Sequence, residues 1–199
     1  MAYRIYLAGD LVFRRAALEI FDRLKALCAA HGLSGIAPFD GQAEIAGLPP
    51  GRQTGLKIVR ADRELMDSCH GGLFCLDGFR GAADMDPGTA VEIGYMHAQA
   101  KPLAGYTADT RDYPARVRDM MQGDLRPRPP NTFGGSSGAL EDPAGIMVHS
   151  EGFYQNAMTE GFIALSGGAV FADADVFAAA DLALGRLAAL LTDGPAPAD

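Results

Sequence analysis

Gly72-Leu73-Phe74-Cys75-Leu76, then Phe79-Arg80-Gly81, then Asp84-Met85-Asp86-Pro87-Gly88-Thr89-Ala90-Val91-Glu92-Ile93-Gly94-Tyr95, is the stretch on which the fold turns. Its first run is short, apolar and bounded by glycine, and reads as a buried strand. Asp86 is a good N-cap and Pro87 suits a first helical position, so a helix opens there with Glu92 in its second turn. A strand feeding a helix puts the acidic pair Asp86 and Glu92 at the carboxyl end of a buried strand, where open α/β sheets bind their ligands.

The rest of the chain repeats that alternation. Ile5–Ala8 is a short apolar strand ending in Gly9-Asp10, and Arg14 to Ala30 reads as a helix with Ala17, Leu18, Phe21, Leu24, Leu27 and Cys28 on one stripe. Leu33–Phe39 is a weak second strand, and residues 40–52 form a Gly/Pro-rich loop. A helix from about Thr54 to Asp67 presents Leu56, Val59, Leu65 and Met66 as its apolar face. Gly71–Leu76 is the third strand, Pro87–Ala100 the next helix and Pro102–Tyr106 the fourth strand. Strands alternating with helices of this length imply a parallel sheet with right-handed crossovers.

Residues 107–150 break the rhythm with Pro114, Pro127, Pro129, Pro130 and several glycines, and read as a long irregular loop: a lid, a subunit contact or a disordered segment. The pattern resumes at Glu151–Leu165, with a strand at Ala169–Phe171, a helix from Asp175 to Leu191 and a disordered tail at about 193–199. At 199 residues the chain suits a single α/β domain with that one elaborated loop.

A net charge of −8 and a pI near 4.9 argue against a nucleic-acid-binding surface, which needs a basic patch. Three scattered cysteines make no disulfide framework, and the adjacent Cys69-His70 is not a metal-ligand spacing. No secretory apolar region opens the chain and no run reaches membrane-spanning length, so a reducing cytoplasm, without membrane contact, is the expected compartment.

On spacing alone the acidic pair has two readings. Asp86 can be a plain helix cap and Glu92 a solvated carboxylate. Alternatively, Glu92 is a nucleophile in a cleft, since Ala90, Val91, Ile93 and Gly94 surround it with small and apolar groups. Gly88 would let a ligand approach the backbone.

Residues elsewhere weight the second reading. Asp-x-Gly-Thr-Ala-x-Glu-x-Gly after a strand and Phe79-Arg80-Gly81 resembles the nucleoside 2-deoxyribosyltransferase family. Arg4-Ile5-Tyr6-Leu7-Ala8-Gly9, with Val12-Phe13, is similar to that family's first strand and base-binding loop. Asn156-Ala157-Met158 resembles the Asn-x-Met element that a neighbouring subunit contributes. Lys101–Tyr106 fits the following strand, and the resemblance runs through residues 3–106 and returns at about 151–190.

The resemblance implies a flavodoxin-like (Rossmann-like) three-layer α/β sandwich with a five-stranded, mainly parallel sheet. It implies transfer of 2-deoxyribose between nucleobases without metal or organic cofactor, in a homo-oligomer with shared active sites. The partners would be a nucleoside and a free nucleobase. Glu92 would form the glycosyl ester, Tyr6 would orient it, and Asp86 with Asn156 would hold the sugar 5′-hydroxyl. Related nucleotide N-hydrolases carry a small hydroxyl residue where Asp86 stands, and a carboxylate there would repel a 5′-phosphate. Gly9, Phe13, Phe79, Arg80, Gly88 and Met158 complete the expected substrate contacts. Tyr6 as an ordinary core aromatic, Phe13 and Met158 as packing residues and Arg80 as the ion-pair partner of Asp84 or another loop carboxylate remain the competing readings.

One departure stands out. The resembled family carries Cys-Asp before the third strand, where the Asp contacts the base; here the pair is Cys69-His70. His70 could act as general acid or be a partly exposed histidine of no catalytic role, and the function could have moved to Asp67 or Asp77 or been weakened. Simple hydrolysis of the same bond and a non-catalytic nucleoside-binding sensor are the alternative functions.

Overall fold

The computed structural model describes residues 2–42, 44–45, 47–149 and 151–193, so the expected tail lies outside it except for Asp193, which closes the last helix. The chain runs β1 (Arg4–Ala8), α1 (Ala17–Ala30), β2 (Ser34–Ile36), α2 (Arg52–Ser68), β3 (Gly71–Cys75), α3 (Pro87–Ala98) and β4 (Leu103–Thr107). It continues α4 (Tyr113–Met120), β5 (Arg126–Pro127), β6 (Leu140–Glu141), β7 (Met147–Val148), α5 (Ala157–Leu165), β8 (Val170–Ala172) and α6 (Val176–Asp193). The main sheet has the order β2-β1-β3-β4-β8 with every pairing parallel, the strand order of flavodoxin-like sheets.

Strand alternation divides the core into two layers. Ile5, Leu7, Leu73, Cys75, Ala104 and Tyr106 face α1 and α6, while Tyr6, Ala8, Phe74 and Leu76 face α2, α3 and α5. All five residues of β3 and of β4 are buried, as central parallel strands require. On α1 the buried stripe is Ala17, Phe21, Leu24 and Cys28; Leu18, expected on it, is 67% exposed. On α2 only Met66 is buried, and Val59 is 63% exposed, so most of the apolar face expected there has no cover from this chain.

Residues 107–150, expected to be irregular, carry α4 and a second, antiparallel sheet of order β5-β6-β7. Two-residue strands leave no readable period, which is why the sequence pattern missed them. Ala83, Val117 and Val148, with Tyr113, Met121, Leu125 and Leu140 against them, dock this small unit on the loop that follows β3.

Beyond β1 the chain turns at Gly9, whose φ of 148° and ψ of 173° lie in a region open essentially to glycine. A Cβ there would stand 2.5 Å from the Cβ of Cys75. Strain and overlap add, so Gly9→Ala is expected to destabilise the protein by about 2–4 kcal/mol in denaturant unfolding. A loss under about 0.5 kcal/mol would show that the β1–β3 seam yields freely.

Candidate functional site

The strand order reverses between β1 and β3, and a cavity of about 450 Å³ opens outside the carboxyl ends of these strands. Ala8 and Gly9 form its floor, and Val12, Phe13, Pro38, Phe39, Ile58 and Val59 its apolar walls. The polar groups that face it are Gln42, Asp62, Asp86, Thr89 and Glu92. Its size and mixed lining suit a small organic ligand. Just outside, Arg14 donates through Nε to Oδ2 of the buried Asp10 at 2.9 Å and fixes the short turn Asp10–Phe13 above the floor.

α3 brings two of the acidic groups together. Asp86 is 8% exposed and caps the helix: its Oδ2 accepts from the Thr89 backbone N–H at 2.9 Å and from Thr89 Oγ1 at 3.1 Å. No hydrogen bond within the described residues reaches its Oδ1. Glu92 shares the inner stripe of α3 with Thr89, Ile93 and Met96 and is half-buried among them. Burial pushes its carboxyl up to about 8, with help from the charges of Asp62 and Asp86 and against the lowering effect of Tyr6.

Tyr6, fully buried in β1, donates its phenol O–H to Glu92 Oε1 at 2.8 Å. Burial first, then the Glu92 carboxylate, keeps the phenol protonated far above its ordinary range, so Tyr6 acts only as a donor to Glu92. The reading of Tyr6 as an aromatic satisfied by backbone is therefore replaced: its hydroxyl serves a carboxylate.

Asp62 faces the same cavity from α2, and the sequence reading passed over it. It is half-buried and accepts from Gln42 Nε2 at 3.1 Å, and burial raises its carboxyl above the usual range. A signal existed: Ile58, Asp62 and Met66 repeat every fourth residue, which puts a carboxylate on the inward stripe of an amphipathic helix.

The remaining expected residues divide. Phe13 lines the cavity but is 61% exposed at its mouth, Gly88 lies on the rim, and Phe79 packs on Phe13 with ring centroids 5.4 Å apart. Arg80 sits 4.5 Å over the Phe79 ring and forms no ion pair among the described residues; Asp84, its suggested partner, instead accepts from the Tyr113 hydroxyl. Asn156 caps α5 by accepting from the Met158 N–H, and both side chains face solvent rather than this cavity.

His70 is not brought to the site. It precedes β3 at the amino-terminal edge of the sheet, where its Nδ1 accepts from the Arg4 N–H at 3.0 Å and its ring meets Tyr3 edge-on. It lines a separate cleft with Lys101 and Leu191, and strand polarity keeps it away from this cavity. Asp67 is exposed and accepts from Tyr95 and Gln99, and Asp77 ties the ends of β3 and β4 through Thr107 and Ala108. Neither lines the cavity; Asp62 does.

The model of the family described as nucleoside 2-deoxyribosyltransferase matches residues 5–158. The chain is 57% identical over 191 residues to an uncharacterised protein of Schizosaccharomyces pombe (strain 972 / ATCC 24843), covering 94% of this chain and 89% of that one. Among solved structures, a 2-desoxiribosyltransferase from Leishmania mexicana superposes with a TM-score of 0.62 at 21% identity, covering 92% of this chain and 97% of the other. A conserved protein from Enterococcus faecalis V583 gives 0.55 at 21% identity, covering 92% and 99%. At that identity these two structures speak to the fold.

The raised pKa of Glu92 has a consequence for stability. Its folded value near 8 lies above the 4.5 of the unfolded chain, so the folded state binds the extra proton and loses stability as pH rises from about 4.5 to 8. Glu92→Gln lacks that dependence. Its stability advantage in denaturant unfolding is expected to be small at pH 4 and to grow to on the order of 1–3 kcal/mol at pH 9. A difference independent of pH would mean that Glu92 is solvated.

Proposed function

This chain belongs to the nucleoside 2-deoxyribosyltransferase family, and from that premise we propose that it transfers 2-deoxyribose between nucleobases through a glycosyl ester on Glu92. The observation that carries the reading is the 2.8 Å hydrogen bond by which the buried Tyr6 holds Oε1 of Glu92, whose side chain lines the cavity. The bond leaves Oε2 to attack C1′ and holds the carboxylate in one orientation.

The step balances without a further reactant. Oε2 bonds to C1′ as the C1′–N bond breaks; the electron pair goes to the base nitrogen, which takes a proton from Asp62. Burial raises the Asp62 carboxyl above its ordinary value, the direction that favours its protonated, proton-giving form. A second base then attacks C1′ and passes its proton to Asp62, and Glu92 leaves as carboxylate. Gln42, hydrogen-bonded to Asp62, supplies an amide edge for the base, and Phe13 a face for stacking.

Asp86 Oδ1 suits the sugar 5′-hydroxyl as an acceptor. Asp62, Asp86 and Glu92 face the cavity while no Lys or Arg lines it among the described residues, so a neutral nucleoside is favoured over a 5′-nucleotide. The exposed Asn156 and the 62% exposed Met158 fit an element given to a neighbouring copy in a homo-oligomer, which would also close the open mouth. That open mouth is what favours the second reading: in an isolated chain, water could take the ester and the outcome would be hydrolysis.

Incubating the protein with 2′-deoxyinosine, with and without adenine, separates the two. Deoxyadenosine that forms only with adenine, and vanishes in Glu92→Ala, is the expected result; hypoxanthine released equally in both tubes would favour hydrolysis, and no conversion would sink both. Tyr6→Phe removes the one hydrogen bond that lowers Glu92, so the acid limb of the kcat/KM profile, expected near 8, should move to higher pH. Asp62→Asn should cut transfer by about 100-fold or more while leaving binding of the sugar in place, as loss of a general acid does.

A further inference from the structure

Gln155 is fully buried, and its side-chain amide is spent on a single segment of backbone. Nε2 donates to the carbonyls of Leu76 at 3.0 Å and Ala83 at 2.9 Å, and Oε1 accepts from the Met85 N–H at 3.2 Å. Two carbonyls and one N–H face one amide with two donors and one acceptor, so the pairing is complete in one amide orientation alone. Leu76 ends the β3 run and Met85 precedes Asp86, so the three bonds span the whole loop between strand and helix cap.

The residue is itself held. Glu160, buried on α5, accepts through Oε2 from the N–H groups of Tyr154 at 2.8 Å and Gln155 at 3.2 Å. On the other side of the loop Arg116 also donates to the Leu76 carbonyl, at 3.3 Å, and the Ala83 N–H meets Met120 Sδ at 3.2 Å. Within the described residues, though, Ala83 O and Met85 N have no hydrogen-bond partner other than Gln155. Loss of its amide would free the half of the loop next to Asp86.

We infer that Gln155 is a positioning residue for sugar recognition: it fixes the loop from Leu76 to Met85 so that the free oxygen of Asp86 stands where a nucleoside 5′-hydroxyl is bound. This rests on the reading of Asp86 as the hydroxyl acceptor. It adds a residue far along the chain that decides discrimination at that hydroxyl without touching the substrate. Asp86 keeps its own cap bonds to Thr89 whatever happens to Gln155, so the effect falls on the place of the carboxylate and not on its presence.

The test compares two donors, 2′-deoxyinosine and 2′,5′-dideoxyinosine, with adenine as acceptor. Gln155→Leu should lower kcat/KM for the hydroxylated donor by about 10-fold, the scale of an unpaired buried amide partner, and far less for the donor that lacks the hydroxyl. An equal loss on both donors, or none, overturns the inference, because a merely structural defect does not sense the 5′ position.

Hydrogen exchange gives an arm independent of turnover: exchange should quicken in residues 77–86 and stay unchanged in β1 and β4. If the wild type transfers nothing, the functional reading fails, while exchange confined to that loop still upholds the clamp and unaltered exchange overturns it. Should Gln155→Leu not fold, Gln155→Glu is isosteric and keeps an oxygen for Met85. Its carboxylate would face two carbonyls, so its deficit should shrink between pH 8 and pH 6 as a proton restores one donor; a deficit independent of pH counts against the inference.

Discussion

A carboxylate surrounded by apolar side chains is held only where something compensates for its lost hydration, and Glu92 is held by one phenol. That bond constrains much of the molecule. It needs Tyr6 on the α3-facing side of β1, hence the register of β1 against β3, in which Tyr6 lies opposite Gly72. It needs α3 to begin at Asp86, so that Glu92 falls on the inner stripe with Thr89, Ile93 and Met96. Slipping either strand by one residue would turn Tyr6 to the opposite layer and leave Glu92 unpaired.

The second sheet and α4 gain a purpose in this light. They sit against the loop after β3 through Ala83, Val117 and Val148, and Arg116 reaches from α4 to the ends of β3 and β4. Arg116 is 3% exposed and burial lowers the pKa of its guanidinium, although the nearby Asp109 and Asp77 work the other way. With Gln155 from the α5 side, the loop that ends in Asp86 is gripped between two separate parts of the fold. Residues 78–86 contain glycine at 78 and 81 and would have little shape of their own.

The cavity combines three carboxylates at different burial with an apolar wall, and the environment gives each a different task. Asp86 spends one oxygen on the α3 cap, Glu92 is oriented by Tyr6, and Asp62 shares a bond with Gln42. Groups of one chemical type thus differ in what they can do because their neighbours differ.

The sequence by itself determined the alternation of strand and helix and the start of α3 at Asp86-Pro87, because periodicity and capping are local properties; the expectation that Tyr6 joins Asp86 and Glu92 came from the family resemblance. The family resemblance drew on those same local motifs. Only the tertiary structure decided that His70 stands at the far edge of the sheet while Asp62 enters the cavity: strand polarity and the face a helix turns inward are set by packing, and neighbours in sequence can be sent to opposite ends of a strand. The antiparallel sheet within 107–150 and the clamp by Gln155 were hidden for the same reason. Two-residue strands have no period, and a hydrogen bond between residues 155 and 83 leaves no mark on either sequence neighbourhood.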